Sequence, residues 1–142
     1  MKTPSSRVIL ALVLAGAALS ASLASAASGP PVIKEPFTPL PCPAHPKTTL
    51  QQEGCAEKAV LKTDAAINSR AKKIYYKLKA GSPRTSFVSG EKAWLTYRRA
   101  SCKAQASVYA GGSFQPVAYA RCEANRNKTH LGDLAELLRA VS

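Results

Sequence analysis

The chain has 142 residues, with 20 Lys and Arg against 8 Asp and Glu and a formal net charge of +12. That length excludes a large multidomain architecture and leaves room for about one small domain with a modest core. The basic excess favours anionic partners such as teichoic or phospholipid surfaces, acidic glycans or nucleic acid, or simply a well-solvated basic surface.

Taken in chain order, Lys2 and Arg7 form a short basic region, and Val8 to Leu23 is an apolar run rich in Ala and Leu. Ala24-Ser25-Ala26 then supplies small residues at the positions a signal peptidase reads, so residues 1–26 are expected to be a signal peptide cleaved before Ala27. The run is short for a spanning helix. The first cysteine, Cys42, follows Pro41 well downstream, with no lipobox cysteine after the run, so the expected mature form is a soluble periplasmic or secreted protein. Setting Lys2 and Arg7 aside leaves 18 basic against 8 acidic residues, formally +10.

Residues 27–47 carry Pro30, Pro31, Pro36, Pro39, Pro41, Pro43 and Pro46, which exclude helix and central strand and predict an extended linker. A helical domain is expected over 48–142. Its first helix should start near Thr48 or Thr49, with Thr49 and Gln52 fitting a capping box. Val60, Ile67, Ala71, Ile74 and Leu78 fall on one stripe, with Lys58, Lys62, Lys72 and Lys79 off it, and Gly81 offers a stop. Ser82-Pro83 opens a second helix in which Val88, Leu95, Cys102 and Tyr109 recur at heptad spacing, flanked by Trp94, Ser101 and Val108. Gly111-Gly112 should end it, and Ser113, as N-cap, with Pro116 should open a third helix lined by Val117, Ala120, Ala124, Leu131, Leu134 and Leu138. No mature segment shows strand alternation, so the expected fold is all-α, three helices behind a Pro-rich lead.

Cys42, Cys55, Cys102 and Cys122 are an even set in a short exported chain, which predicts two disulfides with three possible connectivities. Cys102 lies ten residues before Gly112 and Cys122 ten after it. Residues equidistant from the turn of an antiparallel helical hairpin sit at the same height, so these two can pair. Cys42 and Cys55 would then pin the Pro-rich lead to the first helix.

No residues stand out as catalytic. Disulfide-bonded cysteines cannot act as thiolates, and Gly111-Gly112-Ser113-Phe114 is not a nucleophile elbow. His45 near Cys42 and the distant His130 lack metal-ligand spacing, and no cofactor motif is present. His130 reads as a surface or partly packed helix residue. Asp64, Glu91, Asp133 and Glu136 show no general acid–base spacing. Asp64 and Asn68, one helical turn apart, are expected to hydrogen-bond a facing helix, and Arg98, beside Trp94 and Tyr97, to form an ion pair with such an acid. The cluster Arg70, Lys72, Lys73, Lys77, Lys79 and Arg84, interleaved by Tyr75 and Tyr76, is the candidate binding surface. It carries no motif for sequence-specific nucleic-acid binding. Asn127-Lys128-Thr129 matches a glycosylation acceptor but falls within a helix.

Cys42 and Cys55, Asp64 with Ile67-Asn68, Ala93-Trp94-Leu95, Tyr97-Arg98, Ala100, Cys102, Gly111-Gly112-Ser113 and Cys122 form a pattern spanning Cys42 to Arg139. In that pattern the chain resembles the LprI-type lysozyme-inhibitor family of small exported helical domains. Departures are Arg99, where the family usually has an acid, Ala71 in place of an aromatic, and Asn127 and His130 in place of Thr and Arg. The lipid anchor of some members is also missing. The resemblance implies inhibition of lysozyme by direct binding. The alternative is a non-enzymatic module whose 70–84 basic face contacts anionic envelope polymer or lipid head groups.

Overall fold

The computed structural model describes residues 29–38 and 40–142; the expected signal peptide lies outside the described residues. Helix α1 spans Thr49–Lys77, α2 Ser82–Ala106 and α3 Gln115–Ala140, with a single 3-10 turn at Ser107–Tyr109 between α2 and α3. The fold is all-α, as expected, with no strand among the described residues.

The helix ends depart from the sequence reading by small amounts that have physical causes. The α1 capping box uses Thr48 and Gln51, one residue earlier than expected: Gln51 N–H donates to Thr48 Oγ1 at 3.2 Å while Gln51 Oε1 accepts from Thr48 N–H at 3.4 Å. Gly81 does not stop α1, which ends at Lys77. It adopts φ 90° as the N-cap of α2 and turns the chain between the two helices. Ser113 is not the cap of α3. Phe114 holds that position without a side-chain bond, because the turn itself supplies the acceptors: Gly112 C=O takes the Gln115 N–H at 3.2 Å and Phe114 C=O the Ala118 N–H at 2.9 Å. Helix α2 gives way to the 3-10 turn at Ala106, well before Gly111-Gly112, so the heptad register is lost there. Val108 and Tyr109, expected on the packed stripe, are instead 76% and 45% exposed.

Helix α3 packs against both other helices, more extensively against α1. Two apolar clusters form the core. Ala56, Val60, Ala120 and Ala124 are small enough to bring α1 and α3 close together, and Ile67, Ile74 and Leu134 fill the other end with Trp94, Leu131 and Leu138 packed around them. The pairing of early α1 with early α3 and of late α1 with late α3 makes these two helices parallel. Helix α2, which joins them in the chain, therefore runs antiparallel to both and packs on α3, up-down-up in order.

The Cys102–Cys122 and Cys42–Cys55 disulfides are both formed, with Cα atoms 5.5 and 4.6 Å apart. The first clasps the α2–α3 hairpin and the second ties the Pro-rich lead to α1.

The Pro-rich lead is extended, as expected, but residues 31–38 run along the helices with a two-residue alternation: Pro31, Ile33, Glu35 and Phe37 half-buried, Val32, Lys34, Pro36 and Thr38 exposed. Ile33 joins one apolar cluster and Phe37 the other. Asn68 does not reach a facing helix, as its spacing suggested, but grips this strap. Its Oδ1 accepts the Ile33 N–H at 2.7 Å and its Nδ2 donates to the Ile33 carbonyl at 2.9 Å, the pair of bonds a neighbouring strand would make. Further along, Gly54 lets the strap cross α1, since a Cβ there would lie 2.6 Å from the Pro41 carbonyl oxygen.

Candidate functional site

Between the two apolar clusters lies a charged layer centred on Arg98, whose side chain is 0% exposed. The guanidinium is held from every side. Its Nη1 donates to Asp64 Oδ1 and to Asn127 Oδ1, both at 2.6 Å, and its Nη2 donates to Glu35 on the strap. Nε faces Glu123 Oε1 at 3.3 Å, and the Trp94 ring lies 5.4 Å from the guanidinium carbon. Asn127 closes the layer by donating to Asp64 Oδ1 and to Thr63 Oγ1. All three helices and the strap thus meet at one residue.

Three carboxylates surround one buried guanidinium, so the layer carries more negative than positive charge. Burial pushes the Asp64 carboxyl up, against the hydrogen bond and charge of Arg98, which pull it down. Burial likewise raises Glu123, against the charge of Arg98 and the hydrogen bond from Tyr119. Tyr119 donates to Glu123 Oε1 at 3.0 Å, and its hydroxyl is pushed up to about 12 by burial and by that neighbouring carboxylate. Arg99 offsets part of the excess from the surface: its Nη2 and Nε donate to Glu35 Oε1 at 2.9 and 3.2 Å. Arg99, one of the four departures from the pattern, is therefore tied to an acid of the strap.

Next to this layer Trp94, half-buried, stacks on His130 with ring centroids 3.8 Å apart and planes 12° from parallel. His130 is buried, not superficial: one face of its ring lies on Trp94, and at its edge Nε2 lies 3.0 Å from Glu91 Oε2. Asn127 is fully buried in the Arg98 layer, which closes the glycosylation acceptor. Among the described residues no group of three or more His, Cys, Asp or Glu side chains is arranged to hold a metal ion.

The candidate basic surface separates into two kinds of residue. Arg70 turns inward and donates to the Leu131 carbonyl, and Arg84 donates to the Leu78 carbonyl at 3.0 Å while lying 4.9 Å over the Tyr75 ring. Tyr75 is buried, leaving Tyr76 as the exposed aromatic of the pair. Lys72, Lys73, Lys77 and Lys79 remain exposed. Of the signature residues, Asp64, Arg98, Asn68 and Trp94 hold the interior together. Gly111 supplies a positive φ of 79° in the hairpin turn, where Gly112 and Ser113 are exposed, and Tyr97 lies on the surface. Glu35 and Glu123 belong to the same site yet carry no spacing signal of their own. The alternation Ile33-Glu35-Phe37 and the one-turn step from Glu123 to Asn127 were the available hints.

Residues 42–134 match the family model described as Lysozyme inhibitor LprI. Neither a curated protein nor a solved structure matches the chain.

Proposed function

Because this chain belongs to the LprI lysozyme-inhibitor family, we propose that it is an exported inhibitor that binds a lysozyme directly and blocks its cleft. The family match over residues 42–134 carries this reading. Two features support it. The disulfides suit an oxidising compartment, where lysozymes act, and follow the expected loss of residues 1–26. The three carboxylates that converge in space, Glu35, Asp64 and Glu123, are enclosed around Arg98, which fits a binding protein better than an enzyme.

The lysine face is the weaker candidate for contact. Two of its six cations are bound to backbone carbonyls and one of its two aromatics is buried, which leaves four lysines and Tyr76 exposed. A mature charge of +10 repels a basic lysozyme at long range, so affinity has to come from short-range contacts. Lysis of cell-wall substrate by several lysozyme types, followed with the purified protein in molar excess, tests the proposal. Inhibition of at least one type is expected; unchanged lysis by all of them would remove it.

A further inference from the structure

On the side of the α2–α3 hairpin near its turn, a groove of about 690 Å³ opens between the last turns of α2 and the first half of α3. Val108, Tyr109, Phe114, Arg121 and Arg126 line it, and no carboxylate does. Both arginines lie over aromatic rings: the Arg121 guanidinium carbon is 5.5 Å from the Phe114 centroid, and that of Arg126 is 5.5 Å from the Tyr97 centroid. Each is further steadied by one neutral hydrogen bond, Arg121 to Gln52 Oε1 and Arg126 to Ser101 Oγ, both at 3.2 Å. Among the described residues neither arginine pairs with an acid, whereas Arg98 and Arg99 both do. Around them Val108, Tyr97 and Tyr109 are 76%, 54% and 45% exposed.

Preordered guanidiniums with free donors, set among exposed tyrosines, are the composition of an interface centre and match carboxylates in geometry and charge. A lysozyme places a pair of carboxyl groups in its substrate cleft, one of them ionised, and so offers the complement that this groove lacks. We propose that the Arg121–Arg126 groove, with the exposed hairpin turn at Val108 and Tyr109, is the surface that engages the acidic cleft of lysozyme. This rests on the inhibitor reading above and assigns its contact surface to a region away from the lysine face, bordered by the signature residues Tyr97 and Cys122. Local attraction between the groove and the cleft then acts where the two net charges repel.

The test compares the unaltered protein with Arg121→Ala/Arg126→Ala, with Tyr109→Ala, and with Lys72→Gln/Lys73→Gln/Lys77→Gln. Each is measured for lysozyme inhibition and direct lysozyme binding, with circular dichroism and sedimentation as controls. The double arginine variant is expected to keep its helical spectrum and to weaken inhibition about 100-fold. Tyr109→Ala should weaken it about 10-fold, and the triple lysine variant should stay within about 3-fold. Tyr109→Ala makes no internal hydrogen bond to lose, so it keeps the test open should the arginine variant misfold. If the unaltered protein inhibits but both groove variants inhibit equally well, the groove assignment is wrong and the inhibitor reading stands. Loss of inhibition in the lysine variant alone contradicts it in the same way. A dimer of the unaltered protein that the arginine substitutions dissociate, with inhibition intact, reassigns the groove to self-association. No inhibition by the unaltered protein overturns both.

Discussion

Arg98 and the pair Arg121 and Arg126 belong to the same helical hairpin but meet opposite surroundings. Arg98 is sealed from water and contacts three carboxylates, an amide and an indole. The other two lie on aromatic faces beside an open groove and have no acid within reach among the described residues. A charge with all its partners inside the molecule holds the molecule together; a charge with its donors free is available to another. The difference teaches that the residues by which the family is recognised are mostly those that close the fold. The arginines proposed to meet a target, Arg121 and Arg126, lie outside that signature and only border it at Tyr97 and Cys122.

Removing Arg98 should have the largest effect. Arg98→Met leaves Asp64 and Glu123 buried without a cation and Glu35 with Arg99 alone, and loss of a buried partner of this kind costs about 3–5 kcal/mol. Urea unfolding should show the midpoint collapse, and the strap, deprived of its Glu35 anchor, should become sensitive to protease. A near-unchanged midpoint would mean that the layer contributes little and that the contrast drawn here is false.

Opening a disulfide comes next. Cys102→Ser/Cys122→Ser and Cys42→Ser/Cys55→Ser close loops of similar length, and each should lower stability by about 3 kcal/mol. The two differ in where they act: the first loosens the hairpin that carries the groove, the second releases only the strap. Inhibition should therefore suffer more from the first than from the second at equal stability, as paired unfolding and lysis measurements would reveal.

Gly54→Ala probes the strap without touching a charge. The new methyl would meet the Pro41 carbonyl oxygen at 2.6 Å and the Leu40 side chain at 2.8 Å, so the strap has to shift, at about 1–3 kcal/mol for an overpacked site. Hydrogen exchange at Ile33, whose N–H is held by Asn68, should accelerate.

The smallest expected effect is the response to pH. Asp64 and Glu123 have carboxyls raised in the folded state, chiefly by burial. A raised acid stabilises the fold fully below its unfolded value and loses that contribution as pH rises through the folded value. Their contribution to the thermal midpoint is thus expected to climb as the pH falls from neutral toward the ordinary carboxylate value of about 4, and Glu123→Gln should flatten the climb. A contribution that falls over that interval would show these two carboxyls to be depressed, not raised.

Much of the fold could be read from the residues because its strongest signals are local. Val60, Ile67, Ala71 and Ile74 repeat at helical spacing and are all buried, and the symmetry of Cys102 and Cys122 about Gly112 placed that disulfide. Where the register ended was harder to see. Val108 and Tyr109 continue the heptad in sequence, but the chain tightens into a 3-10 turn before them and swings both outward. The strap was obscured by its prolines, which exclude regular hydrogen bonding but do not prevent docking. Its alternation of Ile33, Glu35 and Phe37 is only three residues deep, and its partner is a side-chain amide instead of a neighbouring strand. The Arg98 layer was half legible. Asp64 and Arg98 were marked as partners, while Glu35 and Glu123 come from elements whose approach depends on tertiary packing.

The division between closing charge and contacting charge is tested most directly by measuring unfolding free energy and lysozyme inhibition on one protein, Arg121→Ala/Arg126→Ala. The account predicts an unfolding curve close to that of the unaltered chain together with inhibition weakened about 100-fold. Unweakened inhibition, or a loss of stability that accounts for the whole effect, would contradict it.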